Sequence, residues 1–189
     1  MILNGDEIIS YKQRGLIDIT PWDEKRVGPN SYDVILHPTI RSYRMRTPAD
    51  RSNPYLVSVL DPRRTNQTIE ITIPKDGYVL RKGEFVLGAT EETCSNNADD
   101  LVPMIEGRSS IGRLGLTIHV TAGFGDLGFC GRWTLEMVAA FDIILIPYMP
   151  IAQLYWIRTN PTKRKYCGKY QGQVGAEPSK IHQELGMTE

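Results

Sequence analysis

The chain has 189 residues, 41% of them hydrophobic, and its 22 lysines and arginines balance 22 aspartates and glutamates. That length and apolar content suit one domain with a real core. The zero net charge excludes binding to nucleic acid or membrane by bulk electrostatics, so any anion site has to be local. Cys94, Cys130 and Cys167 are odd in number and widely spaced, which suits reduced thiols in a cytoplasmic protein. The opening MILNGDEIISYKQRG lacks the basic-then-apolar order of a signal peptide. The longest apolar run, near 139 to 151, is broken by Asp142, Pro147 and Pro150, which argues against a membrane helix.

In chain order, a short helix is predicted from Asn4 to Arg14, capped by Asn4 and stopped by Gly15. Leu16 to Thr20 alternates as a strand that Pro21 ends, and Val27 to Leu36 reads as a turn entering a strand, with Ser31 and Asp33 on one face. The polar stretch Asp50 to Thr68 is predicted as a loop with a short strand at Tyr55 to Leu60. Further strands follow at Ile69 to Ile73, Tyr78 to Leu80, Phe85 to Thr90 and Leu101 to Ile105, separated by Gly, Pro and Asp turns. Short strands at that spacing predict an all-β sandwich or barrel. The basic tail after Ile157 is short of core residues and is expected to be mobile unless anchored, which divides the chain into a β-domain over 1–160 and a tail over 161–189.

The chemistry concentrates between Glu106 and Glu136, in EGRSSIGRLGLTIHVTAGFGDLGFCGRWTLE. Arg108, Ser109, Ser110 and Arg113 make a polar turn whose guanidinium and hydroxyl donors suit phosphate or carboxylate oxygens. A glycine-rich bend, 122 to 131, lets backbone approach a ligand and carries one acid, Asp126. Glu136 sits in a strand-like apolar segment, where a carboxylate is costly to bury unless paired or working. On residue types alone, Glu136 could equally be a salt-bridged strand residue, Asp126 a turn residue and the arginines interface residues. His119, in LTIHV, reads as a hydrogen-bonded strand histidine, and the run Lys163 to Lys165 as solvated charge.

EGRSSIGRLGL, TAGFGDLGF and GRWTLE, together with MILNGDEI, GPNSYDV, KGEFVLGAT and KYQGQVGAEPSKI, resemble the dCTP deaminase family of the dUTPase-like superfamily, in order and approximate spacing. The resemblance implies a distorted jelly-roll β-fold, a homotrimer and nucleotide sites shared between neighbouring subunits. It implies that Glu136 is the general base and acid, with Ser109 and Arg113 holding the water and the Glu136 side chain. Arg108, Ser109 and Ser110 would cradle the triphosphate, and Gln153 would contact a phosphate. Asp126 would take the deoxyribose 3′-hydroxyl and Phe129 would pack where a 2′-hydroxyl would clash. Ala122 and the Thr134–Leu135 backbone would line the base. Tyr166, Lys169 and Gln173 would fold over the triphosphate as a lid. dCTP and dUTP would be the ligands, with dTTP as a possible inhibitor.

Cytosine C4 is a weak electrophile, so something must activate the attacking water. Most nucleobase deaminases use zinc, with an H-x-E and a C-x-x-C. There is no C-x-x-C here and no histidine near a cysteine pair; His37, His119 and His182 are scattered, and so are the cysteines. The expectation is therefore deamination through Glu136 without a protein-bound metal, magnesium accompanying the triphosphate as its counter-ion. The leading expectation is deamination of dCTP to dUTP, with alternatives. Gly123 after Thr121-Ala122 resembles the form found in relatives that go on to release dUMP and pyrophosphate; dCMP, a modified cytosine nucleotide, or a non-catalytic nucleotide sensor are the others. Two positions depart from the family pattern. Where Ile-Asp-Pro-Gly is usual, Gly125-Asp126-Leu127-Gly128 should loosen the bend, and Arg132-Trp133 stands where smaller or aliphatic residues are common, so that a tryptophan there should reshape the pocket.

Overall fold

The computed structural model describes residues 1–43 and 59–186. The chain opens with α1 (Gly5–Gln13), where Asn4 and Glu7 form a reciprocal cap: each side chain accepts from the other's backbone N–H at 2.9 Å. Arg14 closes the helix and Gly15 turns the chain in the left-handed region, φ 70°. The remaining elements are β1 (Ile17–Thr20), β2 (Tyr32–Ile35), β3 (Thr39–Tyr43), β4 (Thr68–Thr72), β5 (Tyr78–Leu80), β6 (Phe85–Asn96), β7 (Leu101–Gly107), a one-turn α2 (Ser109–Gly112), β8 (Leu116–Thr117), β9 (Cys130–Ala139), β10 (Ile143–Leu145) and β11 (Pro150–Arg158).

The fold is all-β, as its turn-punctuated sequence predicts. One sheet runs β4-β3-β6-β9-β8, with β1 also paired to β6; a second runs β2-β11-β7, and β10-β5 forms a ribbon. The core lies between the sheets, built on wholly buried Leu3, Ile8, Ile40, Leu101, Leu135 and Leu154 with Trp156. Each such side chain contributes about 1.5–3 kcal/mol of burial. Strands β3, β10 and β11 carry too little alternation, or too continuous an apolar run, to have been separated in the sequence. The expected strand at Tyr55 to Leu60 falls mainly outside the described residues. No helix of the described residues is long and apolar enough to cross a membrane.

Strand β6 is much longer than its apolar start suggests, because it continues past an irregularity. Ala89 pairs with Thr134 of β9 and Thr93 with Arg132, so β6 carries two residues more than its partner in that interval. The extra residues place Glu92 wholly inside the protein, paired with the Arg26 guanidinium and accepting the Ile35 N–H at 3.1 Å. Desolvation pushes the Glu92 carboxyl up, with the hydrogen bonds and Arg26 opposing it. Thr90, also buried, donates to the Glu92 carbonyl at 2.8 Å and accepts the Trp133 N–H at 3.0 Å. Among the described residues the buried acid is thus Glu92; Glu136, which its apolar flanks place in the interior, is only half-buried. Removing the cation in Arg26→Ala leaves Glu92 buried and unpaired, and is predicted to cost about 3–5 kcal/mol by urea unfolding at pH 7; a loss below about 1 kcal/mol would mean that the pair is not structural.

Candidate nucleotide site

A cavity of about 420 Å³ opens on the outer face of β6 and β9, within the usual size of ligand pockets, about 300–1,000 Å³. Along β9 the buried positions Trp133, Leu135 and Met137 alternate with half-buried Arg132, Thr134 and Glu136. That alternation turns Thr134 and Glu136 to the cavity and sends Leu135, fully buried, into the core. Cross-strand register puts Leu87 opposite Glu136 and Ala89 opposite Thr134, so β6 supplies the apolar side of the same wall. One Glu136 oxygen, Oε2, accepts the N–H groups of Val120 at 3.1 Å and Thr121 at 3.2 Å, at the start of the glycine-rich bend. Among the described residues Oε1 makes no hydrogen bond, and the carboxylate makes no ion pair.

The bend closes another side. Ala122, Asp126 and Phe129 line the cavity, as does Phe124, which sequence reasoning did not single out. The expectation that glycine loosens this bend does not match its packing. Gly125 is buried, donates to the Pro103 carbonyl at 2.9 Å and packs against the Trp133 indole.

The tail supplies the remaining wall and is anchored to β9 as an added strand would be. The Arg132 N–H donates to the Gln173 carbonyl at 3.0 Å, Gly172 N–H to the Cys130 carbonyl at 2.8 Å, and the Arg132 guanidinium to the Val174 carbonyl at 3.0 Å. Gln173 Nε2 reaches the Arg132 carbonyl at 2.5 Å and Thr134 Oγ1 at 3.2 Å, and the Glu177 N–H also donates to that hydroxyl. Tyr166 and Gln173 line the cavity, joined by Tyr170, Glu177 and Ser179. Lys169 does not; its ammonium pairs with Glu184 beside the Tyr170 ring. Tyr43 and Phe85, stacked with centroids 6.3 Å apart, complete the apolar side. The alternation of Phe85 and Leu87 was a legible signal for part of this wall; Tyr166 and Gln173 were expected from the resemblance, whereas Tyr43, Tyr170, Glu177 and Ser179 were not singled out.

The other expected site residues stand apart from the cavity. Arg108, Ser109, Ser110, Arg113 and Gln153 do not line it. Arg108 caps α2 and its guanidinium meets Asp33 Oδ2 at 3.1 Å, while Gln153 Nε2 donates to Asp33 Oδ1 at 2.9 Å and Ser31 Oγ at 3.1 Å. Asp33, unassigned in the sequence reading, therefore holds both residues on the β2-β11-β7 sheet. Ser109, Ser110 and Arg113 are exposed, and among the described residues their side chains have no partner. Within one chain the polar turn and the Glu136 carboxylate make no contact.

His119 differs from its expectation as a hydrogen-bonded histidine, because both ring nitrogens are buried without a partner. Burial holds its pKa below the ordinary value, against the pull of the Glu136 charge. The folded protein thus keeps the ring neutral at pH values where the unfolded chain, near 6.5, already takes a proton. Stability is predicted to fall as pH drops below about 6.5, and His119→Phe to flatten part of that fall. His37, also lowered by burial, contributes the same sign and leaves a residual slope. Thermal melts of both proteins between pH 5.5 and 8 check this; parallel curves would contradict it.

Among similar proteins, the model of the dCTP deaminase-like family matches residues 2–159. Proteins named "dCTP deaminase, dUMP-forming" from Clostridium beijerinckii and Hathewaya histolytica are 42% and 40% identical over 186 residues, covering 98% of this chain and 99% of theirs. One of the same name from Cytophaga hutchinsonii is 41% identical over 187 residues, covering 98% of this chain and 99% of its own. A solved 2′-deoxycytidine 5′-triphosphate deaminase from Agrobacterium tumefaciens superposes with a TM-score of 0.61 at 21% identity, over 84% of this chain and 48% of that one, a likeness of fold. Matched over residues 2–159 by the family model and over 98% of its length by these relatives, the chain belongs to the dCTP deaminase-like family.

Proposed function

We propose that the protein hydrolyses dCTP in two steps, losing ammonia from the cytosine and then pyrophosphate from the triphosphate to leave dUMP. The observation that carries this reading is the Glu136 carboxylate on the wall of a nucleotide-sized cavity, with Thr134 beside it on β9 and Asp126 on the bend. Gly123 and the dUMP-forming names of relatives at about 40% identity favour the second step over a reaction that stops at dUTP.

In this reading Glu136 takes a proton from the water that attacks C4 and delivers it to the departing ammonia. Asp126 takes the 3′-hydroxyl and Phe129 closes the space of a 2′-hydroxyl. Asp126 also orients the water that attacks the α-phosphorus, with pyrophosphate as the leaving group. Magnesium arrives with the triphosphate as part of the substrate. Tyr166 and Gln173 already stand at the cavity, and the tail acts as a lid once Lys169 exchanges Glu184 for a phosphate.

The phosphate cradle comes from a second copy. Ser109, Ser110 and Arg113 are exposed and unpartnered in one chain, whereas the reaction needs cationic and hydroxyl donors at the Glu136 cavity. Large apolar side chains beside both halves favour assembly: Phe124 and Val120 flank the cavity and Leu114 follows α2, at 65%, 54% and 57% exposure. A closed homotrimer satisfies both requirements.

Incubation with dCTP and magnesium is predicted to release dUMP, pyrophosphate and ammonia without accumulation of free dUTP, read by ion-exchange chromatography. Stoichiometric dUTP would limit the enzyme to deamination. Glu136→Gln is predicted to bind dCTP while turnover falls about 10²–10⁴-fold; near-normal turnover would remove Glu136 from the chemistry.

A further inference from the structure

We infer that Trp133 is a positioning residue for the sugar side of the cavity: its indole occupies the volume a side chain at 125 would need, and so fixes where Asp126 and Phe129 stand. This rests on the reading that Asp126 and Phe129 face the deoxyribose. Gly125 has no left-handed φ, so glycine is not required there by backbone conformation. What requires it is space. A Cβ built at 125 would overlap Cη2 of Trp133 outright and stand 2.9 Å from both Cζ2 and the Pro103 carbonyl oxygen. The indole is a rigid ring system on a central strand, buried to 7% exposure and packed edge-on against Phe129, and cannot swing aside at low cost.

The same indole reaches the next wall residue. Its ring meets Phe129 edge-on, centroids 5.6 Å apart and planes at 71°, and Phe129 meets Tyr166 of the tail in the same manner at 5.9 Å and 65°. Trp133 therefore touches the bend on both sides of Asp126, at Gly125 before it and Phe129 after it. Trp133, 7% exposed, also lines the cavity, and its contacts with Gly125 and Phe129 position the bend on either side of Asp126. The outcome is a sugar pocket whose discrimination depends on a ring in the sheet beneath it.

The test compares Gly125→Ala, Trp133→Leu, Trp133→Phe and the Gly125→Ala/Trp133→Leu pair with the unsubstituted protein. Dissociation constants for dCTP and CTP are measured by calorimetry, with kcat, KM and melting temperature alongside. Gly125→Ala is predicted to weaken dCTP binding about tenfold or more and to narrow the preference for dCTP over CTP, because the bend has to move. Adding Trp133→Leu should restore dCTP binding at least about fivefold relative to Gly125→Ala alone, a non-additivity expected of residues in contact. Both single changes at 133 should raise KM and narrow the dCTP/CTP preference with little change in kcat, Trp133→Phe doing so at a higher melting temperature. A merely structural tryptophan would lower melting temperature and leave the dCTP/CTP ratio where it was.

Equal effects of Gly125→Ala in either background, or an unchanged ratio in both 133 variants, would overturn the inference while dCTP turnover by the unsubstituted protein stood. If the unsubstituted protein bound dCTP without releasing ammonia, the proposed reaction would fail and the ratio of binding constants would still decide the inference. If it bound neither nucleotide, both would fail.

Discussion

The structure depends on how β6 and β9 pair around two surplus residues. Between Ala89 and Thr93 the strands fall out of step, and the slack is taken up inside the protein by Glu92 with Arg26 and by Thr90 with Trp133. The same interval joins the two sheets: Leu36, just past β2, bridges Thr90, and His37 N–H donates to the Ala89 carbonyl at 2.9 Å. On one side of this irregularity β9 presents Thr134 and Glu136 to the cavity; on the other it presents Arg132 to the tail. A one-residue slip would exchange the faces and bury Glu136 while exposing Leu135. Charge burial at Glu92 is costly, and it is tolerated where it fixes the register that the outer face needs.

Around that register the protein assembles its site from three segments far apart in sequence: the strand pair, the glycine-rich bend and the tail. The bend is held by the Trp133 ring and by the two amides that clasp Glu136, while the tail is held to β9 by two backbone hydrogen bonds and by the side chains of Arg132, Gln171, Gln173 and Thr134. The polar turn at 108–113 belongs to a different surface, the β2-β11-β7 sheet, where Asp33 organises Arg108 and Gln153. A single chain thus carries a carboxylate pocket and a cation-and-hydroxyl turn that do not touch.

Much of the fold was legible because it is local. The α1 cap, the stop at Gly15 and the turn-separated strands all follow from neighbouring residues. The bend and the Arg108–Arg113 turn were singled out by their glycine and arginine content; the bend lines the cavity and the turn lies apart from it. The misplacements share one cause: they depend on register or on contacts distant in sequence. Glu136 has apolar neighbours on either side, yet strand alternation turns it outward. Glu92 sits in the polar run TEETCSN and is buried only because β6 gains two residues there. Tyr43, Tyr170 and Glu177 join the cavity by tertiary packing alone. Gly125 looked like a source of slack until its neighbour proved to be Trp133.

The central claim is that Glu136 of one chain works with Ser109 and Arg113 of another. The direct measurement mixes two inactive proteins, Glu136→Gln and Arg113→Ala, under conditions that let subunits exchange, and follows ammonia release from dCTP. If the site is shared, random reassembly of a cyclic oligomer gives intact sites in about a quarter of positions, and activity should return toward that fraction. Activity that stays at the level of the separate variants after proven exchange would contradict the account and return the whole reaction to a single chain.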